Sequence, residues 1–364
     1  MFEIKCKKIN REKTIFLITL FIVNIILISL FNFDKEDIEL EIVGVDKVYL
    51  LVGETKELEL DIVTEEEKDF FLTYESSDSN IVTVNDNGIV TAKNLGTITI
   101  KAKCLDEEKN VEVIVSDLIT TPIYAQDKEK LTCEVFTENE AKLLDEILEY
   151  DIESVGYGTR AGVVAAARFL SLKFPYKINY YFENGRLNIS RRKHIDGEGR
   201  YYHKGLYLSK SKYETLEENA STGDPKMWGC DLYANYTKYY SRNGLNCSGY
   251  VSWALLNGGF DVGDLGAGST EELDFTDLGK KVYLNLDVIE NNIKVGDLIG
   301  RDGHIGIIIG IDEEKVYIAE SYIPSLKVRE FTYQELIDTY EFDYVMLMDE
   351  VYQNDGKLTK MWDD

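Results

Sequence analysis

The sequence predicts a chain of three unlike parts: an apolar membrane helix, an all-β sandwich and an α+β unit. Three observations carry this. Residues 14–33 form one nearly continuous apolar run. Residues 39–116 break into short alternating segments separated by turn residues. Residues 137–350 place capped helical patterns first and buried-strand patterns later. At 364 residues the chain has room for two or three domains. The divisions are a basic tail at 1–13, the membrane segment at 14–33, the β module at 39–116, a linker at 117–136, the α+β unit at 137–350 and a C-terminal tail at 351–364.

The apolar run is interrupted only by Thr19, Asn24, Ser29 and Asn32. About 20 such residues cross a bilayer core. Lys5, Lys7, Lys8, Arg11 and Lys13 precede it, and Asp34, Glu36 and Asp37 follow. The positive-inside rule keeps the N-terminus in the cytoplasm and exports the rest. A cleaved signal peptide would have a shorter apolar region and small residues at a cut site. Leu30-Phe-Asn-Phe-Asp34 offers none. The expectation is an uncleaved, single-pass signal-anchor in the cell membrane, with everything after Asp34 extracellular.

The formal charge is −26, which argues against nucleic acid as a partner and against anionic lipid held by bulk electrostatics. Of the five cysteines, Cys6 falls on the cytoplasmic side; Cys104, Cys133, Cys230 and Cys247 are too sparse for a disulfide framework. A single Cys104–Cys133 or Cys133–Cys230 bridge stays open. There is no C-x-x-C pair, and His194, His203 and His304 are the only histidines. Neither a metal nor a cofactor is expected.

In the β module, strands are expected at 39–43, 48–52, 56–62, 70–74, 81–84, 89–92, 97–102 and 111–115. Asp86-Asn-Gly88 is a hairpin signal. Many short strands at this spacing form a sandwich. Val52-Gly-Glu-Thr55, Tyr74-Glu-Ser-Ser-Asp-Ser-Asn-Ile-Val-Thr-Val84 and Asn87-Gly-Ile-Val-Thr-Ala-Lys-Asn-Leu-Gly-Thr97 resemble the bacterial Ig-like group 2 domain. Glu75 stands where that family usually has Trp. The resemblance implies a spacer or a binding module on a bacterial surface.

The α+β unit opens with a capping box, Thr137-Glu-Asn-Glu140, followed by Leu143, Leu144, Ile147 and Leu148 at helical spacing. A second helix starts near Thr159; its small residues suit close packing, and Arg168 is expected to face out or reach a carboxylate. Arg191, Arg192, Lys193 and His194 form a local basic cluster. Trp228, Tyr233, Tyr236, Tyr239 and Tyr240 either pack under the next helix or line a groove.

That helix is the centre of the unit. In Asn243-Gly-Leu-Asn-Cys-Ser-Gly-Tyr-Val-Ser-Trp-Ala-Leu-Leu-Asn-Gly-Gly259, residues Cys247, Tyr250, Val251, Ala254 and Leu255 fall on one helical face. Gly258 and Gly259 end it. Cys247 sits in the first turn, where N–H groups and the helix dipole favour a thiolate. A thiolate is a nucleophile at neutral pH. Cys230 is a rival, but no helix pattern begins there. A lone cysteine also fits a buried core position.

What weighs for chemistry is His304, at the mouth of an apolar hairpin made by Gly303-His-Ile-Gly-Ile-Ile-Ile-Gly310 and Val316-Tyr-Ile-Ala-Glu-Ser321. A cysteine nearby would find its base there. Cysteine first and histidine later is the order of a thiol hydrolase. If 310 pairs with 314, then His304 lies opposite Glu320, and the carboxylate can orient the imidazole. A connection one residue longer would bring Ser321 there instead.

Asn246-Cys-Ser-Gly-Tyr-Val251, Gly296-Asp-Leu298 and the Gly303–Gly310 run resemble the NlpC/P60 cysteine peptidases over residues 240–325. The resemblance implies a papain-like fold, cleavage of peptides in bacterial peptidoglycan, Cys247 as nucleophile and His304 as general base. The family's third polar residue falls on the returning strand, where Glu320 stands. Asn246 replaces the family's usual Asp. The expected function is a membrane-anchored cell-wall hydrolase with peptidoglycan stem peptide as substrate. An N-acetylmuramoyl-L-alanine amidase on the same scaffold and a non-catalytic surface binding protein are the alternatives.

Overall fold

A computed structural model describes residues 39–65, 68–132, 135–180, 204–206, 244–262, 265–267 and 274–361. The expected anchor at 14–33, Cys6, Cys133, Cys230, the basic cluster at 191–194 and the aromatic residues Trp228, Tyr233, Tyr236, Tyr239 and Tyr240 lie outside them. Among the described residues, no helix is long and apolar enough to cross a membrane.

The first unit is all β: β1 (Leu40–Gly44), β2 (Lys47–Leu50), β3 (Thr55–Glu57), β4 (Leu60–Thr64), β5 (Thr73–Ser76), β6 (Val82–Val84), β7 (Ile89–Ala92), β8 (Gly96–Cys104) and β9 (Glu107–Val115). One sheet runs β2-β9-β8-β5, a second β3-β7-β6, and β1 pairs with β4. Burial alternates residue by residue along β8, as a strand with one face on a core requires. Val48, Val82, Val90, Ile98, Ile100, Val111 and Val113 meet in that core. The single strand expected at 56–62 is two. Leu58 turns into the core, and its N–H leaves for Gly88 O at 3.0 Å, which splits β3 from β4. Glu75 is exposed, while Tyr74 beside it packs against the core.

The second unit sets helices against a six-stranded antiparallel sheet. Helix α1 (Glu138–Val155) begins at the Thr137/Glu140 capping box and buries Ala141, Leu144, Ile147, Leu148 and Ile152. Helix α2 (Arg160–Arg168) is capped by Thr159 and continues into a π turn at Phe169–Lys173. Helix α3 spans Cys247–Asn257. The sheet comprises β10 (Lys280–Tyr283), β11 (Leu298–Arg301), β12 (His304–Ile311), β13 (Lys315–Tyr322), β14 (Ser325–Thr332) and β15 (Tyr344–Leu347). Its order is β10-β15-β11-β12-β13-β14. Three short helices complete it: α4 (Leu286–Asn291), α5 (Tyr333–Asp338) and α6 (Asp349–Tyr352).

Each sheet face has its own core. Leu298, Ile305, Ile307 and Ala319 face α2 and α3. Ile299, Ile308, Val316 and Ile318 pack with Ile289 of α4 and Leu336 of α5. The close approach of α2 and α3 depends on Gly258. A Cβ there would lie 2.6 Å from the Val163 backbone. Arg168 does not face outward: it is buried, and donates to Ile309 O, Thr359 O and Thr359 Oγ1. A side chain at the end of a helix packed on a sheet has strand carbonyls within reach.

The segment at 117–136 is held along much of its length. Thr120 N–H donates to Lys173 O and Ile123 N–H to Leu172 O. The Gln126 amide pairs in both directions with the Val328 backbone on the free edge of β14. Lys128 is buried and donates to Leu172 O and Phe174 O, each at 2.6 Å. Burial pushes its ammonium down to about 7. Tyr49 of β2 reaches across to Glu146 of α1 at 2.8 Å and sets its ring edge against Tyr150. Residues after 350 are equally engaged. Asn354 O and Asp355 O accept the Arg160 and Ala161 N–H groups, and Met361 is buried in the main core.

Candidate active site

Cys247 opens α3 because Asn246 caps it. The Asn246 side chain accepts Gly249 N–H at 2.8 Å and Ser248 Oγ–H at 3.0 Å. Tyr250 N–H makes the first main-chain bond, to Asn246 O. The helix is not the one-sided element expected from periodicity: Ser248, Ser252 and Trp253 are buried as well. It lies inside the unit, with the Tyr250 hydroxyl donating to Ala167 O and Trp253 Nε1 to Gly205 O. Cys247 itself is 7% exposed, at the end of a helix that is otherwise almost sealed.

His304 begins β12 directly after the two-residue turn Asp302-Gly303, which joins Arg301 to its partner His304. Gly303 has φ of 77°, the left-handed conformation such a turn needs. His304 Nε2 lies 2.5 Å from Glu320 Oε2. That leaves Nδ1 as the ring nitrogen open to Cys247, whose side chain is close enough to push the imidazolium up. Both His304 and Glu320 are buried.

The contact arises from a register other than the one expected. Asp312 organises the tip of the hairpin, its Oδ1 accepting the N–H groups of Glu314 and Lys315. This lengthens the turn, so Ile311 pairs with Val316 and Gly310 with Tyr317. The pairing then shifts by one, and Ile308 pairs with Ile318 and Ile307 with Ala319. Ile309 is the extra residue of a bulge. Continued to the mouth, this register sets Gly306 against Glu320 and His304 against Tyr322. His304 and Glu320 are therefore diagonal neighbours on one face. Gly306 leaves the path between them clear; a Cβ on it would lie 3.2 Å from Glu320 Cβ. Ser321 points the other way and donates to Leu245 O at 2.7 Å, tying β13 to the segment that leads into Cys247.

Around the pair stand residues the sequence did not single out. Lys327 Nζ and Arg329 Nη1 both lie 3.3 Å from Glu320 Oε1. Arg329 is also held by both oxygens of Glu341. Tyr322 sets its ring edge-on to His304 at 5.1 Å, with Phe342 at 6.1 Å on another side. Tyr180 stands 6.4 Å from Tyr322, ring to ring. The signal for the two cations was present: in Ser-Leu-Lys-Val-Arg-Glu-Phe-Thr, Lys327 and Arg329 alternate with buried Leu326 and Val328. Only the pairing of Glu320 with Lys327 and Ile318 with Arg329 shows that both point to the carboxylate's face.

Burial disfavours the charged form of His304 and pulls its pKa down, but Cys247 and Glu320 override it and push the imidazolium up to about 9. Burial works against the charge on Glu320, and His304, Lys327 and Arg329 outweigh it, pulling the carboxyl down to about 2. Burial pushes the Tyr180 hydroxyl up to about 12, with the charge of Cys247 adding to it. Among the described residues, no group of three or more His, Cys, Asp or Glu is placed to hold a metal ion.

Asp297, from the Gly-Asp-Leu motif, lies in a different cluster. Its Oδ1 accepts Arg160 Nη1 at 2.7 Å and Met348 N–H at 3.0 Å, and its Oδ2 accepts Lys294 N–H. Arg160 is fully buried and also reaches Asp349, Asp355 and Val295 O.

Residues 42–115 match the family model described as bacterial Ig-like domain (group 2). None of the curated proteins matches the chain. Among solved structures, domains 4 and 5 of the S-layer protein SbsC are 17% identical, over 21% of this chain and 50% of that one, with a TM-score of 0.19. A GH10 xylanase from termite gut that contains a bacterial Ig-like domain is 21% identical, over 24% and 22%, with a TM-score of 0.18. An intimin mutant of EHEC O157:H7 is 18% identical, over 33% and 68%, with a TM-score of 0.19. The chain thus spans half of the SbsC structure and about a fifth of the xylanase.

Proposed function

We propose that the protein is an exported, membrane-anchored cell-wall hydrolase of the NlpC/P60 cysteine peptidase type, cutting amide bonds in peptidoglycan stem peptides. The observation that carries this reading is the line Cys247–His304–Glu320. It combines a thiol at a helix N-terminus, an imidazole within hydrogen-bond reach and a buried carboxylate 2.5 Å from the far ring nitrogen. That is the arrangement of nucleophile, base and orienting group that acyl transfer needs.

With His304 pushed up to about 9, the imidazole is protonated at neutral pH and stands beside the sulfur as its counter-ion. The Cys247 sulfur attacks the amide carbonyl carbon, and the carbonyl π pair moves to oxygen. Asn246 already takes the N–H groups of Gly249 and Tyr250, so those of Cys247 and Ser248 are the first-turn donors left to meet the oxyanion. As the C–N bond breaks, His304 gives its Nδ1 proton to the leaving amine. It then takes a proton from water, which attacks the thioester and releases the acid and the thiolate. Glu320 accepts the Nε2–H throughout and keeps the ring in one orientation. The Ig-like module serves in this reading as a spacer between membrane and wall.

The test is incubation of the full-length protein with purified peptidoglycan, with released ends identified by mass spectrometry. New amine and carboxyl ends within the stem peptide are expected. Release at the bond to muramic acid would make it an amidase; absence of cleavage would leave a binding protein. Cys247→Ala should abolish turnover, and full activity in that variant would end the thiol reading.

A further inference from the structure

Glu320 carries the orienting role, yet its own geometry needs an explanation. A carboxylate 1% exposed keeps its charge only with partners on both oxygens. Oε2 faces His304. Oε1 faces two cations at the same distance of 3.3 Å, Lys327 and Arg329, which differ in kind. Lys327 is a point charge on a flexible stem, resting over the Tyr322 ring at 5.0 Å. Arg329 is a planar fork with its orientation set on two sides. Glu341 grips it with both oxygens, and its guanidinium stacks over Phe331 at 4.5 Å and near Phe342 at 6.0 Å. Phe342 also borders His304.

We infer that Arg329 is a positioning residue: clamped by Glu341 and stacked on Phe331, it fixes Oε1 of Glu320 and thereby aims Oε2 at His304. Lys327 supplies charge without direction. Glu341 is about half exposed, so the clamp reaches from the surface to the buried carboxylate. The charged and titratable groups that face this line are His304 on β12, Cys247 on α3, Tyr322 on β13, Lys327 and Arg329 on β14, and Glu341 before β15. Arg301, the last residue of β11, pairs directly with His304.

The inference rests on the proposed reading of Cys247 and His304 as a reacting pair. Its test therefore avoids peptidoglycan. The probe is iodoacetamide on the full-length protein at pH 6, with labelling of the Cys247 peptide followed by mass spectrometry. In wild type, Cys247 should label faster than Cys104, and Glu320→Ala should slow it. If neither holds, the reading of the pair fails and the inference with it. If both hold, Arg329→Met should slow Cys247 labelling about tenfold, with partial recovery in Arg329→Lys, and Glu341→Gln should slow it less. In the Glu320→Ala background the same Arg329→Met change should have almost no effect, a coupling of the size contacting charged residues show. Arg329→Lys keeps the charge and Lys327 remains in all these variants, so the part of the loss that lysine does not recover reports direction rather than charge. Glu341→Gln loosens the clamp without touching the buried groups, which keeps the test valid if Arg329→Met folds poorly. Unchanged or faster labelling in Arg329→Met, or the same loss with and without Glu320, would overturn the inference while leaving the Cys247–His304 reading intact.

Discussion

Two buried carboxylates in this protein invite comparison. Glu320 and Asp297 are each 1% exposed, and each is bound to a cation brought from another element. The partners differ. Asp297 is held by Arg160, which keeps its charge at any physiological pH, together with two backbone N–H groups. Glu320 has Lys327 and Arg329 on one oxygen, but its other oxygen meets His304, whose charge changes with pH. The first cluster joins α2, β11 and α6 through a charge that never moves. The second ends at a cysteine and can pass a proton. The difference teaches that burial of a charged pair does not mark an active site. What sets the second cluster apart is a partner able to change state and a cysteine on its far side.

That contrast can be broken by exchanging where the damage falls. Glu320→Ala should reduce turnover by a factor on the order of 10⁴, as loss of correct orientation does in a comparable triad, with little change in thermal midpoint. Wild-type turnover in Glu320→Ala would show that the carboxylate is not coupled to the chemistry. Asp297→Ala should do the reverse. Removing Asp297, the buried one of the three carboxylates on Arg160, costs up to about 3–5 kcal/mol of stability, measurable by urea unfolding, while the folded fraction keeps its Cys247 labelling rate. A stable Asp297→Ala variant would remove the structural assignment of the Gly-Asp-Leu motif.

The smallest effect is expected from pH. The folded His304 lies at about 9 against an ordinary 6.5, so folding favours its protonated form. The stability this contributes is fully present below about 6.5 and is lost as pH rises through about 9. Turnover should fall over the same upper limb, because the leaving amine loses its acid. The Arg160 charge does not change across that interval. Unfolding free energy measured at pH 6 and pH 9.5 should therefore differ in wild type, and less in Glu320→Ala, where Cys247 alone still raises His304. Equal differences in both would separate the pH response from this pair.

Much of the local architecture was legible. The Thr137/Glu140 capping box, the helix starts near Thr159 and at Cys247 and the alternation within 97–102 are all short-range signals, and each appears where the sequence places it. The juxtaposition of His304 and Glu320 was legible for a subtler reason. The expected register was wrong at the tip, because Asp312 draws Glu314 and Lys315 into a longer turn. It was wrong again at Ile309, where the bulge removes one step. The net shift is even, so both residues stay on one face; an odd shift would have sent Glu320 to the opposite side. No periodicity announces a bulge. Arg329 and Glu341 were missed because their roles depend on pairing between strands. The burial of α3 all round was missed because its polar positions, Ser248 and Ser252, look like a solvent face until other elements cover them.

The strap after α6 bears on the order of events during synthesis. Helix α2 begins at Arg160, but its first two N–H groups and the Arg160 side chain are satisfied by Asn354 and Asp355, nearly two hundred positions later. Arg168 at its other end waits for Ile309 and Thr359. While the ribosome is still making the sheet, α2 has its Thr159 cap but not the acceptors of its first two N–H groups, nor Asp355 for Arg160 and Thr359 for Arg168. The core of the Ig-like module closes on residues within its own span, Val48 to Val115, and needs nothing from the sheet that follows. The second unit cannot reach its final packing before residue 361 is free, so a stall or truncation just upstream of the strap leaves Arg160 without Asp355, Arg168 without Thr359 and the main core without Met361.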